Sequence, residues 1–224
     1  MTVSIPDFAS RPQLAEDVAR LIRRRIFDGT YPAGNYIRLE QLAAELGISV
    51  TPVREALFGL RTEGLLTQQP RRGFLVLPVT RRDIDDVAGV QAHIGGQLAL
   101  RAAGQISDGQ LDELDRIQRE LEDAYARDDH DAAVRLNHAF HRGVNRAAES
   151  PKLAQLMSQI TRYALESVYP TVEGWPEQST HDHRRILAAL KERDGDAARD
   201  AMAEHLCAAS KPLSDHLDRL GVLE

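Results

Sequence analysis

The spacing of apolar residues predicts a compact group of short elements in the first third of the chain. Positions from Leu14 to Ile26 repeat at helical spacing, and Gly29 marks the end of that helix. Thr51 followed by Pro52 predicts an N-cap and a first helical turn. The predicted elements are helices over 14–26, 39–46 and 51–63 and strands over 65–68 and 74–77.

From residue 84 onward the apolar stripes keep a helical period almost to the end of the chain. Residues 169–179 carry two prolines and a glycine and are predicted to form a loop, and Asp194-Gly195 predicts a break between two helices. Helices joined by short connections pack as antiparallel bundles. The expected fold class is therefore mainly α, with an N-terminal helix-turn-helix and small β-hairpin followed by an all-α antiparallel helical bundle. The expected boundaries are a first domain over 1–78, a linker over 79–83 and a second domain over 84–224.

Composition excludes several protein classes. The 224 residues are 42% hydrophobic and 28% charged, which is ordinary for a globular chain and excludes a mainly disordered one. No run of 18 uncharged apolar residues is present, so we expect no membrane contact, and the N-terminus lacks the features of a secretory signal. The single cysteine, Cys207, cannot form an internal disulfide, and a cytoplasmic location is expected.

The formal net charge of −6 conceals an asymmetry along the chain. Residues 1–80 contain 10 arginines, no lysine and 8 acidic residues, whereas residues 81–224 contain 18 basic and 26 acidic residues. All eight histidines follow residue 92. Arginine suits forked contacts with phosphate and guanine, so the first segment is the candidate for binding nucleic acid. Chance remains an alternative explanation of the asymmetry.

The two short helices around Gly47 form a helix-turn-helix pattern. The first turn of the second of these helices supplies Ser49, Thr51 and Arg54, small polar and basic side chains suited to a major groove. The hairpin tip, Arg71-Arg72-Gly73, forms a short basic wing suited to a minor groove. By contrast, the run Arg23-Arg24-Arg25 is predicted to be a solvated helix face.

These residues carry a resemblance to a known family. The run GTYPAGNYIRLEQLAAELGISVTPVREALFGLRTEGLLTQQPRRGFLV resembles the winged-helix domain of GntR-family transcriptional regulators. The resemblance implies binding of palindromic operator DNA as a homodimer. Val50 stands where many members have an arginine, so the family's base preference does not carry over to this chain at that one position. The predicted DNA-binding residues are Arg38, Ser49, Thr51, Arg54, Arg71, Arg72 and Gly73.

The spacing of three histidines predicts a convergent site in the second domain. On one continuous helix His183 and His205 would lie about 33 Å apart, but a hairpin at Asp194-Gly195 places them side by side. Asn137 and His141 share one face of another helix, since they are four residues apart. Three imidazoles and an amide oxygen suit Zn²⁺ or another divalent ion. Unrelated surface or core histidines are the alternative interpretation.

A second resemblance bears on this site. The segments LNHAFHRGV and HDHRRILAALKERDGDAARDAMAEHL resemble the FCD effector domain of the FadR subfamily of GntR regulators. Metal-binding members use an aspartate and three histidines, which implies His141, His183 and His205 as ligands, with Asn137 at the aspartate position. The implied cofactor is a divalent metal ion, zinc first, with nickel and manganese as alternatives. The neutral amide removes one negative charge from the ligand set.

The effector pocket also departs from the family pattern. In VQAHIGGQLALRAA, Gln91 and Gly95 stand where many members have arginine and glutamate, and they are the predicted pocket residues. Loss of the arginine weakens the expectation of an organic acid, because arginine is the natural carboxylate partner. Two explanations of Gly95-Gly96 are open, close helix packing, which we favour, and extra volume for the pocket.

The predicted function is a transcriptional repressor, not an enzyme, whose operator affinity is controlled by a small molecule bound in the metal-containing helical domain. Two alternatives stay open at this point. One is a metalloenzyme, for which Glu166, Glu204 or Asp182 would have to act as general acid or base. The other is a sensor that signals through protein contacts, with a winged helix that does not bind DNA.

Overall fold

The computed structural model describes residues 11–163 and 169–224, and it divides the chain into two compact units. The first unit comprises the chain up to Arg81 together with Leu217–Glu224, and the second comprises Arg82–His216. The elements of the first unit are α1 (Arg11–Phe27), β1 (Tyr36–Ile37), α2 (Leu39–Leu46), α3 (Val50–Thr62), β2 (Leu66–Gln69) and β3 (Gly73–Val76).

The three strands form an antiparallel sheet in the order β1-β3-β2. The β2–β3 hairpin was predicted, with bounds shifted by one residue. β1 was not predicted, because two residues are too few to show an alternating pattern. The sheet and three helices share an apolar core that includes the fully buried Ile22, Leu57, Leu60 and Leu66.

The start of α3 differs from the prediction. Its N-cap is Ser49, with an extended backbone at φ −68° and ψ 156°, and the helix begins at Val50. The prediction of Thr51 as N-cap is therefore wrong by two residues. Pro52 is tolerated at the third helical position because the first-turn amides have no acceptor within the helix.

Arg23 contradicts the prediction of a solvated arginine run on α1. Its side chain is buried, and its guanidinium donates to both carboxylate oxygens of Glu63, just past the end of α3, at 2.8–3.0 Å. Arg25 pairs with Glu45 at 2.8 Å, whereas Arg24 is exposed. Only Arg24 fits the predicted solvated face, and Arg23 instead fixes α1 against α3.

The last residues of the chain belong to the first unit, although the second domain was predicted to extend to residue 224. Val79 and Leu223 form a parallel β-bridge, and the amide of Glu224 donates to the Val79 carbonyl at 3.1 Å. Arg81 pairs with Asp218 at 3.0 Å. A single bridge between distant residues leaves no periodic signal in a sequence, so the return of the chain to the first unit was not predicted.

The second unit is helical. Its helices are α4 (Arg81–Gln105), α5 (Asp108–Ala126), α6 (His130–Ala147), α7 (Pro151–Ile160), α8 (Trp175–Lys191), α9 (Gly195–Ala208) and α10 (Ser210–Arg219), and its 3₁₀ turns are Thr161–Tyr163 and Tyr169–Thr171. The first residue of α4 and the last turn of α10 cluster with the first unit. Fully buried Leu98, Phe140, Ile186 and Leu190 lie at the centre of the bundle core.

The predicted loop over 169–179 is only partly a loop. Residues 169–171 form a 3₁₀ turn, and α8 already begins at Trp175, after Gly174 in the left-handed region at φ 76°. Pro176 lies in the first turn, where proline costs no hydrogen bond. The prediction treated this proline as a helix breaker, whereas its position makes it a helix starter.

The predicted fold class is confirmed: the protein is mainly helical, with a small antiparallel sheet near the N-terminus and a helical bundle after it. Among the described residues, no helix is both long and apolar enough to span a lipid bilayer.

Candidate nucleic-acid interface and metal centre

The exposed side of α3 carries the side chains predicted to contact DNA. Ser49 occupies the N-cap position of the helix, and Thr51 and Arg54 lie on one face at a spacing of three residues. Arg38 is the exposed N-cap of α2. Within the described part of the chain, neither Arg38 nor Arg54 has an acidic partner. Their positive charges are therefore not neutralised internally and are available to phosphate.

The wing is built around a glycine that the sheet itself requires. Gly73 has φ 105°, and a Cβ there would lie 2.5 Å from the carbonyl oxygen of Ile37 in β1. Arg71 and Arg72 are both exposed at the hairpin tip, and the Arg72 guanidinium lies 5.9 Å from the centre of the Tyr36 ring. Gly73 was predicted because it allows approach to a duplex, but packing of β3 against β1 already accounts for it.

Sequence reasoning missed a second arginine on the outer face of α3. Arg61 is exposed and lies over the Phe58 ring at 4.7 Å, and Phe58 in turn contacts the edge of Phe74. Arg54, Phe58 and Arg61 share one helix face, since their spacing is four and then three residues. This spacing was the signal that could have identified Arg61.

Three histidines from three helices converge in the second unit. α6 supplies His141, α8 supplies His183 and α9 supplies His205, and one ring nitrogen from each lies within 4.8 Å of the others. The turn between α8 and α9 allows this, because Asp194 caps α9 by accepting from the amide of Ala197 at 3.0 Å. His183 Nε2 and His205 Nε2 are 3.3 Å apart.

Aromatic rings enclose the histidines. Phe140 stacks on His183 with 4.0 Å between ring centres, and Trp175 lies 5.8 Å from the His205 ring. His183 and His205 are buried, and His141 is half-buried. Burial, followed by the charges of neighbouring histidines, lowers the pKa of His141 and of His183 well below the usual value. Both rings are therefore neutral near pH 7, which is the form that coordinates metal ions.

Buried polar side chains lie within hydrogen-bond distance of the Nδ1 atoms of two of the rings. His183 Nδ1 lies 2.8 Å from Gln118 Oε1, and His205 Nδ1 lies 3.3 Å from Asp182 Oδ2. Burial raises the pKa of Asp182, but hydrogen bonds from His205 and Gln178 outweigh it, so the net pKa is lowered. Gln118 was missed by sequence reasoning, because a glutamine on an amphipathic helix has no distinguishing pattern.

The donor set and its spacing fit a divalent metal ion. Ligand nitrogens at about 2.0–2.1 Å from a tetrahedral zinc ion lie about 3.3–3.4 Å apart. His183 Nε2 and His205 Nε2 have this separation. Asn137 lies one turn before His141 on α6 and is half-buried, so it shares the same helix face. Its role as an oxygen ligand stays a prediction.

The two predicted pocket residues make packing contacts within the second unit. Gln91 is buried and donates to the carbonyl of Ile160 at 3.1 Å. A Cβ on Gly95 would lie 2.4 Å from Leu206 Cδ1, so this glycine allows α4 to approach α9 closely. A Cβ added to Gly96 would similarly lie 3.1 Å from the backbone oxygen of Arg199. These contacts favour the packing explanation of the glycine pair, and the effector role of Gln91 and Gly95 stays a prediction.

Two of the acidic residues considered as a general acid or base of a metalloenzyme make other side-chain contacts. Glu204 is exposed and pairs with Arg185 at 2.9 Å, and Asp182 holds His205. Glu166 lies outside the described residues.

Comparison with known proteins decides the family. The chain matches the FCD domain over residues 86–208, more than half its length, and the family described as bacterial regulatory proteins, gntR family, over residues 14–76. The chain belongs to the GntR family of transcriptional regulators. The predicted resemblance is thereby confirmed.

Individual GntR-family relatives match along most of this chain. The HTH-type transcriptional repressor RspR of Escherichia coli strain K12 is 26% identical over 198 residues, covering 85% of each chain. A probable D-xylose utilization operon transcriptional repressor of Paenarthrobacter nicotinovorans is 27% identical over 208 residues, covering 92% of this chain and 91% of its own. The structure of E. coli McbR/YncC has a TM-score of 0.71 at 23% identity, covering 90% of this chain and 97% of that one, and it supports the fold.

Membership of the GntR family fixes the functional class. Regulators of this family bind operator DNA through the N-terminal domain and effectors through the FCD domain. The chain is accordingly a transcriptional regulator and not an enzyme, which confirms the prediction and removes the metalloenzyme alternative.

Proposed function

We propose that this GntR-family regulator is a homodimeric repressor that holds a palindromic operator and releases it when a small molecule binds its metal-containing FCD domain. The observation that carries the proposal is the convergence of His141, His183 and His205 inside the domain that matches the effector-binding family. Repression, rather than activation, is supported by two relatives that are named as repressors.

The exposed arginines and the start of α3 support the operator-binding part. Two α3 helices of a dimer would enter successive major grooves, and a symmetric dimer reads a palindrome. Arg38, Arg54, Arg71 and Arg72 would supply phosphate contacts, and Ser49 and Thr51 would reach phosphate or base edges. Gly73 would keep the wing close to the backbone of the duplex.

The residues that would hold the metal ion are the three histidines, with Asn137 as an oxygen donor. Zinc is the ion that the neutral imidazoles and their spacing favour, with nickel and manganese as alternatives. A bound ion would supply a Lewis-acidic position for an oxygen atom of the effector. Gln91 and Gly95 remain the candidates for shaping the effector pocket, Gln91 through its amide and Gly95 through the close approach of α4 to α9 that it permits.

Regulation requires that the effector bind two conformations of the chain with different affinity. The conformation with effector bound would change the spacing of the two DNA-binding domains in the dimer. Coupling of this kind is reciprocal, so operator DNA would weaken effector binding by the same factor.

A promoter–reporter assay tests the repressor claim. The promoter of this gene and of its neighbours would be fused to a reporter, with and without the chain. Repression predicts higher reporter output when the chain is absent or carries Arg54→Ala. Unchanged output from every promoter, or lower output without the chain, would contradict a repressor.

Metal analysis tests the site. Purified His183→Ala is expected to lose bound zinc, whereas His93→Ala, at an exposed position on α4, is expected to keep it. Equal metal content in wild type and His183→Ala would remove the site from the proposal.

A further inference from the structure

We propose that Gln118 and Asp182 are the positioning residues of the metal site. Asp182, which contacts the His205 ring, would also supply a negative charge near the metal ion, whereas Asn137 at the predicted ligand position is neutral. This inference rests on the metal site of the proposed function. It concerns two buried side chains, from α5 and α8, at 0% and 3% exposure.

The orientation of the Gln118 amide follows from its second contact. Its Nε2 donates to Glu122 Oε1 at 3.0 Å, and a carboxylate oxygen can only accept. Gln118 Oε1 therefore faces His183 Nδ1 at 2.8 Å, so that Nδ1 carries the ring proton and donates it. Glu122 is itself held by Arg184, whose Nε and Nη2 donate at 2.7 and 2.9 Å.

Asp182 fixes His205 in the same way. Its Oδ2 faces His205 Nδ1 at 3.3 Å, and its Oδ1 accepts from Gln178 Nε2 at 2.9 Å. A carboxylate at this position requires the proton on Nδ1 of His205. Both rings thus have the proton directed outward, away from the point where the histidines meet.

The two inner nitrogens then face one another as bare acceptors. His183 Nε2 and His205 Nε2 lie 3.3 Å apart, and in the neutral form of the rings, which is the form that binds a metal ion, neither carries a proton that could bridge them. Two lone pairs at this distance repel, whereas a divalent cation between them would turn the repulsion into attraction. Partners behind metal-bound histidines commonly fix the ring orientation and raise ligand basicity in this manner.

The two positioning residues are not equivalent, because Gln118 is neutral and Asp182 carries charge. The four proposed ligands, Asn137 and the three histidines, are neutral, so a divalent ion would have no anion among them. Asp182 is a carboxylate in contact with a ligand ring, and that imidazole alone would separate it from a bound ion. Its charge should therefore contribute to ion affinity beyond its part in orienting the ring.

Zinc affinity of the full-length purified chain tests this inference, measured by competition with a chromophoric chelator at pH 7.5. Asp182→Asn is expected to weaken zinc binding by about 10–100-fold, and Gln118→Met by about tenfold. Glu177→Gln provides the matched control, since Glu177 is an exposed carboxylate on the same helix, α8. The zinc affinity of the Glu177→Gln variant should stay within twofold of wild type.

A compensating variant separates charge from structure. Asn137→Asp places a carboxylate among the ligands, so adding it to Asp182→Asn is expected to recover at least tenfold in zinc affinity. If Asp182→Asn only damaged the fold, the second substitution would not restore binding. Thermal unfolding of each metal-free variant reports the fold independently.

The outcomes distinguish the metal site from the residues that position it. Wild type that binds no zinc, nickel or manganese would overturn the metal site of the proposed function. Wild type that binds zinc while Asp182→Asn and Gln118→Met bind equally well would overturn the positioning role alone. Weakened binding without recovery by Asn137→Asp would overturn the charge role of Asp182.

Discussion

Arg23 is a buried cation inside a run of three arginines whose other members are more exposed. Its guanidinium meets both oxygens of Glu63, 40 residues later in the chain. Removing one partner of a buried ion pair leaves the other charge poorly compensated, which is more costly than losing a surface pair.

Arg23→Met is therefore expected to lower the free energy of unfolding of the first unit by about 3 kcal/mol. Chemical denaturation followed by circular dichroism measures the change. Arg24→Met, at the exposed neighbouring position, should change stability by no more than about 0.5 kcal/mol. Equal effects of the two substitutions would refute the structural role of Arg23.

The candidate site could be predicted from sequence only where residues follow a local pattern. His141, His183 and His205 were found because a helix break lies 11 residues from each of the last two. Gln118, Asp182 and the partner of Arg23 depend on contacts between distant helices, which no spacing encodes. The exposed residues Arg54 and Thr51 were found from the helix-turn-helix pattern, which is local as well.

At the scale of elements, Gly95 determines how closely α4 approaches α9. A larger side chain there would meet Leu206 and Met202. Gly89 lies in the same helix and is exposed, and a Cβ added to it would meet no atom of another described element within 4 Å. Gly89 therefore offers a matched comparison.

Gly95→Val is expected to destabilise the second unit by about 1–3 kcal/mol through overpacking. Gly89→Val should leave stability unchanged or raise it slightly, since valine has a higher helix propensity than glycine. Thermal or chemical denaturation compares the two variants. A stable Gly95→Val protein would show that α4 and α9 can separate without cost, contrary to the close packing described.

The buried histidines should also make the stability of the metal-free protein fall at acidic pH. The pKa of His141 and that of His183 are lowered in the folded state, mainly by burial. Below about pH 6.5 the unfolded chain binds protons that the folded chain does not, so stability falls as the pH falls. The slope is about 1.4 kcal/mol per pH unit for each such histidine.

Denaturation with chelator present, at pH 7.5 and at pH 5.5, measures this slope. His183→Gln is expected to reduce it, whereas His93→Gln, at an exposed position, should leave it unchanged. A slope that is the same in all three proteins would contradict the burial of neutral histidines.

The elements themselves were largely predictable, because long amphipathic helices repeat their apolar positions many times. The exceptions are short or ambiguous elements. β1 spans two residues, and the first turn of α8 contains Pro176, which serves as a starter or a breaker depending on its position in the turn.

On the scale of the whole molecule, the chain leaves the first unit after Arg81 and returns to it at Leu217. The return is fixed by the bridge between Val79 and Leu223 and by the hydrogen bond from Glu224. A chain with two connections between its units differs from the simple succession of domains that the sequence predicted.

Deleting residues 220–224 should therefore loosen the first unit. Loss of the hydrogen bond at Val79 is expected to cost about 1 kcal/mol, which is about a fivefold rise in amide exchange. Hydrogen exchange of a peptide covering residues 74–81 would detect it, and a peptide from α5 serves as the internal control. Unchanged exchange at residues 74–81 would show that the tail contributes no stability.

Fluorescence anisotropy tests most directly whether the first unit binds operator DNA through the outer face of α3. The full chain would be titrated against a duplex from its own promoter and a scrambled duplex over a range of salt concentrations. We predict tighter binding to the promoter, a linear fall of log affinity with log salt, and a slope smaller by about one for Arg54→Ala. Equal affinity for both duplexes, or an Arg54→Ala protein indistinguishable from wild type, would contradict the account.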